Sequence, residues 1–338
     1  MFFFWKDKIS LLLDHQNMIM RYFAFLFFFS MVLAWQSAQA QEEDPGPDTV
    51  KVGVYVISIH DINFHDKDYV VRFWLWLLYD NPDFDFTSQL DIPNAKSVER
   101  PDVIIDSVDG KAWVMMKMKC EMKQNWNVID FPFDRQHLNI QIENTLFDKS
   151  SLIFVPDQLG STYDKELTLD GWKIENFVVK TQENNYETAF GYPDAEEQSS
   201  TYHAFMIEMD IVRDAWGLFL KIFIGMYISF LISIISFTPH PAELEPRFGL
   251  PVGGLFAAVG NKYIIDSLLP ESSRFTLVDS LHTVTFLTIF ATLLVSAIVL
   301  KLHDRGKTKL ANKVNRICAL VVVIGFVLLN LLLIFLAI

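Results

Sequence analysis

The sequence predicts an extracellular all-β sandwich followed by a bundle of four transmembrane helices. Three observations lead to this fold class. The chain begins with an apolar run that ends in a small-residue cleavage pattern, as a secretory signal peptide does. Residues 41–214 contain segments in which apolar and polar side chains alternate, which is typical of strands with one buried face. Residues 215–338 contain apolar stretches long enough to cross a membrane.

Residues 1–40 are interpreted as a signal peptide, because Arg21, an apolar run and an Ala-Gln-Ala pattern at 38–40 follow one another in the expected order. The mature chain then begins near Gln41. An uncleaved anchor helix is the alternative, although the apolar run is shorter than the roughly 20 residues that a spanning helix needs. Met18 or Met20 is an alternative start of translation.

Residues 41–214 are expected to form an antiparallel β-sandwich. Between residues 114 and 122 every second side chain is apolar, which buries one face of a strand and excludes a helix. Cys120 lies on that buried face and Cys318 lies in a predicted membrane span, so the two cannot form a disulfide. Turn sequences at 79–83 and 106–110 separate the strands. Further strands are predicted at 70–79, 138–142 and 205–212.

The composition excludes several functions. The net charge of the chain is −13, and the excess of acidic side chains in the outer domain repels nucleic-acid phosphates, so we expect no nucleic-acid partner. The sequence also lacks a G-x-S-x-G elbow, a phosphate-binding glycine loop and an H-E-x-x-H motif. We therefore expect neither an enzyme nor a bound cofactor.

Four spans are predicted in the second half of the chain, at 216–237, 248–269, 276–300 and 314–338. Lys and Arg crowd positions 301–316, which places the link between the last two spans in the cytoplasm by the positive-inside rule. With four spans the acidic domain then lies outside, in agreement with the signal peptide. With three spans the two signals would conflict.

These features together resemble a prokaryotic pentameric ligand-gated ion channel, a member of the Cys-loop receptor superfamily without the Cys pair. The resemblance rests on FPFDRQHL (131–138), DGWKIENF (170–177), a strand that ends in Arg213, and four apolar helices. It covers nearly the whole mature chain. It implies an immunoglobulin-like outer domain in the periplasm, a homopentamer in the bacterial inner membrane, and contacts with membrane lipid, inorganic ions and an unknown small ligand.

The resemblance also implies a zone that couples the outer domain to the membrane helices. Pro132 and Asp134 in the 131–138 turn would press on the membrane domain, and Arg213 would pair with nearby acids. Pro270 lies in the outer loop between the second and third spans. The alternative interpretation of Asp134 and Arg213 is an ordinary ion pair at a strand end.

The second span carries a stripe of side chains at spacings of four and three, which share one helical face. We expect this face to line a pore, with Glu245 at the cytoplasmic mouth, where a ring of carboxylates favours cations. The span would hold Pro251 in its first turn, where proline is tolerated. The stripe comprises Gly249, Gly253, Phe256, Gly260, Tyr263 and Ser267.

A bundle without a pore is the alternative. Gly249, Gly253 and Ala257 also form a small-residue face that lets two helices pack closely. The chain would then be a non-conducting membrane sensor with the same architecture.

Two outer segments are candidates for the activating signal. In the hairpin at 184–200, Tyr186, Phe190 and Tyr192 would stack on a cationic or aromatic ligand, or simply pack on the sheet. The segment 60–68 is expected to be a proton sensor or a divalent-cation site, or else a solvated acidic turn. Its candidate groups are His60, His65, Asp66 and Asp68.

Overall fold

The structure of the chain is a computed structural model that describes residues 46–191 and 198–338. The predicted signal peptide and Tyr192 lie outside the described residues. The described chain consists of a β-domain followed by four long helices, so the predicted fold class is confirmed.

The β-domain has two sheets. The larger sheet has the strand order β4-β5-β2-β1-β7, with β8 pairing in parallel to β1, and the smaller sheet has the order β3-β6-β10-β9. The strands are β1 (Asp48–Asn63), β2 (Asp68–Tyr79), β3 (Leu90–Asp91), β4 (Ala95–Val108), β5 (Lys111–Lys123), β6 (Arg135–Asn144), β7 (Leu152–Pro156), β8 (Thr162–Tyr163), β9 (Trp172–Tyr186) and β10 (Ser200–Arg213). A short helix, α1 (Phe86–Gln89), follows β2.

The core lies between the two sheets, and the alternation in β5 shows how the sequence builds it. Met116, Met118, Cys120 and Met122 are completely buried, whereas the residues between them are only partly covered. The turn between β4 and β5 holds Asp109 and Gly110 at φ values of 52° and 83°, a pair of positive values that a two-residue hairpin turn requires. The strand and turn predicted here are therefore confirmed.

The four long helices are α2 (Ala215–Ile235), α3 (Leu244–Asp266), α4 (Leu277–Asp304) and α5 (Thr308–Ala337). All four are long and apolar enough to span a membrane. Thr276 caps α4 through a capping box, in which its hydroxyl accepts from the Asp279 amide and the Asp279 carboxylate accepts from the Thr276 amide.

Three helix ends differ from the prediction by four residues or more. α4 ends later and α5 begins earlier than expected, so only residues 305–307 separate them. Lys and Arg are good helix formers, so these charged turns continue the helices even though they lower the local hydropathy. α3 begins at Leu244, which places Pro251 inside the helix rather than in its first turn, and leaves the Arg247 carbonyl without its usual helical donor.

Candidate coupling site and exposed face of the second membrane helix

A buried ion pair lies where the β-domain meets the membrane helices. Arg213, the last residue of β10, donates from Nε to Asp134 Oδ1 (2.6 Å) and from Nη2 to Asp134 Oδ2 (3.2 Å). The side chains are only 11% and 1% exposed, respectively. Gln136 Nε2 also donates to Asp134 Oδ2 at 2.6 Å. Two donor groups therefore hold a carboxylate that water does not reach.

Three aromatic rings surround the guanidinium of Arg213. Its Cζ atom lies 4.0 Å from the ring centroid of Trp172, 4.9 Å from that of Phe64 and 5.0 Å from that of Phe131. A guanidinium over an aromatic face is stabilised by the ring quadrupole. The rings come from the β1–β2 turn, the turn before β6 and the start of β9, so Arg213 ties three separate segments together.

The turn before β6 carries this site directly onto a membrane helix. Phe131 and Pro132 are buried, and Phe133 is half-buried. The Phe133 ring centroid lies 5.2 Å from that of Trp216 and 5.5 Å from that of Phe219, both in the first turns of α2. The turn thus contacts the ion pair on one side and the first membrane helix on the other.

The loop between α3 and α4 reaches the same zone. The Leu277 amide donates to the Ile129 carbonyl at 2.7 Å, which bonds the start of α4 to the segment that follows β5. Pro270 is buried and lines a cavity together with Trp126. The structure therefore places all four residues predicted for coupling at the junction of the β-domain and the membrane helices. The surrounding aromatics Phe64, Trp126 and Trp172 were not predicted.

The predicted stripe on α3 lies on an exposed face of the chain. Phe256 and Tyr263 are 73% and 77% exposed. A Cβ atom built at Gly249, Gly253 or Gly260 would meet nothing within 4 Å. Ser267 is exposed at the helix end, where its hydroxyl donates to the Ile264 carbonyl (2.7 Å), and Glu245 is exposed in the first turn. All seven residues thus face away from the rest of the chain.

The opposite face of α3 makes the close helix contact. Ala258 and Ile265 are buried, and a Cβ atom at Gly254 would lie 2.7 Å from the Ser229 carbonyl oxygen of α2. The small residue that permits close packing is therefore Gly254. Gly249, Gly253 and Ala257, the alternative packing face, are exposed and meet no other helix in the described part of this chain, because a shift of one position along a helix rotates a side chain by about 100°.

Polar side chains on the flank of α3 face neighbouring helices. Asn261 Nδ2 donates to the Ile222 carbonyl at 2.9 Å, and Asn261 Oδ1 lies 3.2 Å from His282 Nε2. Lys262 Nζ lies 2.7 Å from Asp266 and 2.8 Å from Asp279. Polar side chains thus bond α3 to α2 and α4, and exposing these side chains to lipid would cost free energy.

The hairpin between β9 and β10 carries an aromatic cluster, one member of which is bonded to a buried carboxylate. The rings of Tyr186, Phe190 and Tyr202 lie 5.5–6.2 Å apart. Tyr186 donates its hydroxyl proton to Glu143 (2.9 Å), which is only 4% exposed. Burial, followed by the bond to Glu143, raises the pKa of Tyr186 to about 12. The sequence pointed to Tyr186 and Phe190, but not to Glu143 or Tyr202.

The segment 60–68 does not assemble the predicted metal site. His60 Nδ1 pairs with Asp61 (2.8 Å), Asp66 accepts from Asn63 (2.7 Å), and Asp68 pairs with Lys96. Each carboxylate is therefore turned toward a local partner. In residues 46–191 and 198–338, no group of three or more His, Cys, Asp or Glu side chains has a metal-binding arrangement. His65 is exposed at the turn.

No family model matches the chain. A curated protein, a proton-gated ion channel of Gloeobacter violaceus, is 20% identical to it over 361 aligned positions, which cover 98% of each chain. The alignment extends across the β-domain and all four helices. This chain is therefore a multi-pass membrane protein that is similar, over nearly its full length, to a proton-gated ion channel.

Proposed function

We propose that the chain is one subunit of a homopentameric, cation-selective ligand-gated ion channel. The observation that carries this proposal is the alignment with a proton-gated ion channel over 98% of both chains. The order of a β-domain followed by four apolar helices supports it. Native mass spectrometry in mild detergent tests the assembly, and a stable monomer or dimer would contradict it.

The proposed location is the bacterial inner membrane, with residues 41–214 in the periplasm after removal of a signal peptide at 1–40, and residues 215–338 in the membrane. The basic residues around the short α4–α5 link support a cytoplasmic position for that link. Reporter fusions after Gly306 and after Ile338 should report inside and outside, respectively. The reverse result would contradict the proposed topology.

The proposed pore is lined by the exposed stripe of α3. Glycines at three levels of the stripe would leave the pore wide. Phe256 and Tyr263 would narrow it between those levels with their aromatic side chains. Glu245 would place five carboxylates at the cytoplasmic mouth and attract cations. This assignment explains why two large aromatic side chains are exposed on a helix whose opposite face is closely packed.

Cysteine labelling tests the pore assignment. Small charged thiol reagents should modify and block channels with cysteine at Gly253 or Phe256, in a background with Cys318 replaced by serine. Cysteine at Ala258 should stay unmodified, because that position is buried against the neighbouring helices. Equal labelling of Phe256→Cys and Ala258→Cys in assembled protein would contradict the assignment.

The proposed gating signal acts on the outer domain and reaches the membrane through the buried ion pair of Asp134 and Arg213. A cationic ligand fits the hairpin cluster, where the ring of Tyr186 packs against that of Phe190 and the Tyr186 hydroxyl is bonded to the Glu143 carboxylate. Protons are the second candidate signal, since the aligned relative is a proton-gated channel. A screen of current against pH, calcium and small amines in a bilayer distinguishes these signals.

A non-conducting sensor of the same architecture is the second candidate. The observation that favours it is the pair of bulky rings, Phe256 and Tyr263, on the exposed face of α3, which would obstruct a pore. A pentamer that binds ligand but carries no current under every condition of the screen would identify the sensor.

A further inference from the structure

A cavity of about 270 Å³ lies at the junction of the β-domain and the membrane helices. We call it the junction cavity. Its walls come from Lys67 in the β1–β2 turn, residues 125–129 after β5, and residues of the α3–α4 loop between Pro270 and Arg274. The volume is just below the 300–1,000 Å³ typical of sites for drug-sized ligands. The cavity therefore suits a compact ligand.

The charges of the junction cavity favour an anion. Lys67 lines it from the β-domain and Arg274 from the membrane domain, and neither lies within 4 Å of a carboxylate oxygen in the part of the chain that the structure describes. Glu271 is the acidic residue in the wall, so the lining carries one net positive charge. Asn125 and Asn127 add amide groups that can donate hydrogen bonds.

Protein contacts hold these walls in place. The Gln124 amide donates to the Lys67 carbonyl at 2.8 Å, and the Arg274 amide donates to Ser272 Oγ at 3.1 Å. Trp126 in the wall donates from Nε1 to the Asn63 carbonyl (2.8 Å) and stacks on Phe64, with ring centroids 4.7 Å apart. Phe64 is also one of the rings over Arg213, so the cavity adjoins the coupling ion pair.

We propose that the junction cavity binds a compact oxyanion, such as sulfate, phosphate or a small dicarboxylate, between Lys67 and Arg274. A planar guanidinium binds such groups through two parallel hydrogen bonds, and a lysine adds a point charge. The two cations belong to different parts of the chain, so the anion binds best when the β1–β2 turn and the α3–α4 loop are close together.

The effect on gating rests on the proposed channel function. An anion that bridges the two parts stabilises the arrangement in which they are apposed, and by reciprocity any gating movement that separates them must weaken its binding. Bound oxyanion should therefore shift the concentration of activating signal that opens half of the channels, without contacting the exposed stripe of α3.

Isothermal titration of the full-length protein in detergent with sodium sulfate and sodium succinate, at constant ionic strength, tests the site. Arg274→Gln and Lys67→Asn should each weaken binding about tenfold or more, because each removes a charged donor. Asparagine suits position 67, where φ is 58°. Lys111→Ala, a change in an exposed lysine that pairs with Asp80, is the control and should leave binding unchanged.

Glu271→Gln separates an anion site from a cation site. It should strengthen sulfate binding several-fold, because it removes a like charge from the wall. Weaker sulfate binding in this variant, or equal affinity in Arg274→Gln and Lys111→Ala, would overturn the inference.

Nanodiscs with phosphatidylglycerol or phosphatidylcholine distinguish a lipid headgroup from a free anion as the source of the bound oxyanion. Binding that requires phosphatidylglycerol, and is lost in Arg274→Gln, identifies a lipid phosphate.

The titration does not depend on current. Sulfate binding by a protein that never conducts would leave the junction site standing and contradict the channel proposal. A protein that conducts current but binds neither sulfate, succinate nor phosphatidylglycerol would contradict only the junction site.

Discussion

Replacing Arg213 by glutamine should destabilise the junction severely, because it leaves Asp134 buried without its charged partner. Asp134 is only 1% exposed and would keep Gln136 Nε2 at 2.6 Å as a donor. Breaking a buried ion pair from one side costs about 3–5 kcal/mol. That is a large share of the roughly 5–15 kcal/mol that stabilises a typical domain. The loss of ring contacts to Trp172 adds to this cost.

A double-mutant cycle isolates the pair. Asp134→Asn removes the opposite charge, and the double variant removes both charges, so it should be less destabilised than the sum of the single variants. We expect a coupling energy of about 2–3 kcal/mol. The measurement is the free energy of unfolding in detergent, from denaturant titration followed by tryptophan fluorescence.

An exposed ion pair with the same nitrogen–oxygen distance provides the control. Arg135 Nη1 lies 2.6 Å from Glu175 Oε2, but these side chains are 69% and 45% exposed. Such a surface pair contributes about 0–1 kcal/mol. If Arg213→Gln and Arg135→Gln destabilise the protein equally, the argument from burial is wrong. If Arg213→Gln pentamers respond to the activating signal like the parent, the pair has no coupling role.

Three further predictions concern separate parts of the chain. A small charged thiol reagent should block the current of the Tyr263→Cys channel but not that of the Ile265→Cys channel. The opposite result would contradict the assignment of the exposed stripe to the pore. Burial lowers the pKa of His203, whose Nδ1 accepts from the Phe154 amide at 3.0 Å. As pH falls below about 6.5, the unfolded chain therefore takes up a proton on His203 before the folded chain does. The free energy of unfolding must then decrease until the pH reaches the folded-state pKa. His203→Asn should flatten this part of the stability–pH curve, and an unchanged curve would refute the assignment. Glu143→Gln should weaken activation by amines at least tenfold without changing proton activation, as measured by dose–response currents; equal potency would exclude the hairpin site.

The sequence predicts those elements in which one periodicity dominates. Strand β5 was predicted because its apolar side chains alternate without interruption, and β1 carries the same signal at Val50, Val52, Val54 and Val56, although it was not among the predicted strands. Strand β4 offers no such pattern, because it lies at a sheet edge and nearly all of it is exposed. The length and apolar composition of the membrane helices predicted their number but not their charged ends.

The candidate site was predicted only where a local motif marks it. The 131–138 turn pointed to Asp134, and the end of β10 pointed to Arg213, which are 79 residues apart. The rings that surround Arg213 come from distant segments with no shared motif, so only the folded chain reveals them. Gly254 was missed because its neighbour Gly253 fits the predicted stripe, and the choice between two adjacent glycines depends on which face meets α2.

Single-channel recording in a planar bilayer shows whether purified pentamers conduct ions. With a tenfold potassium chloride gradient, and with pH, calcium and amines varied in turn, we expect unitary currents that reverse near the potassium equilibrium potential. The reversal should move toward zero in Glu245→Gln, because that change neutralises the carboxylates at the proposed cytoplasmic mouth. Verified pentamers that remain silent under every condition, or currents that reverse near the chloride potential, would contradict the proposed function.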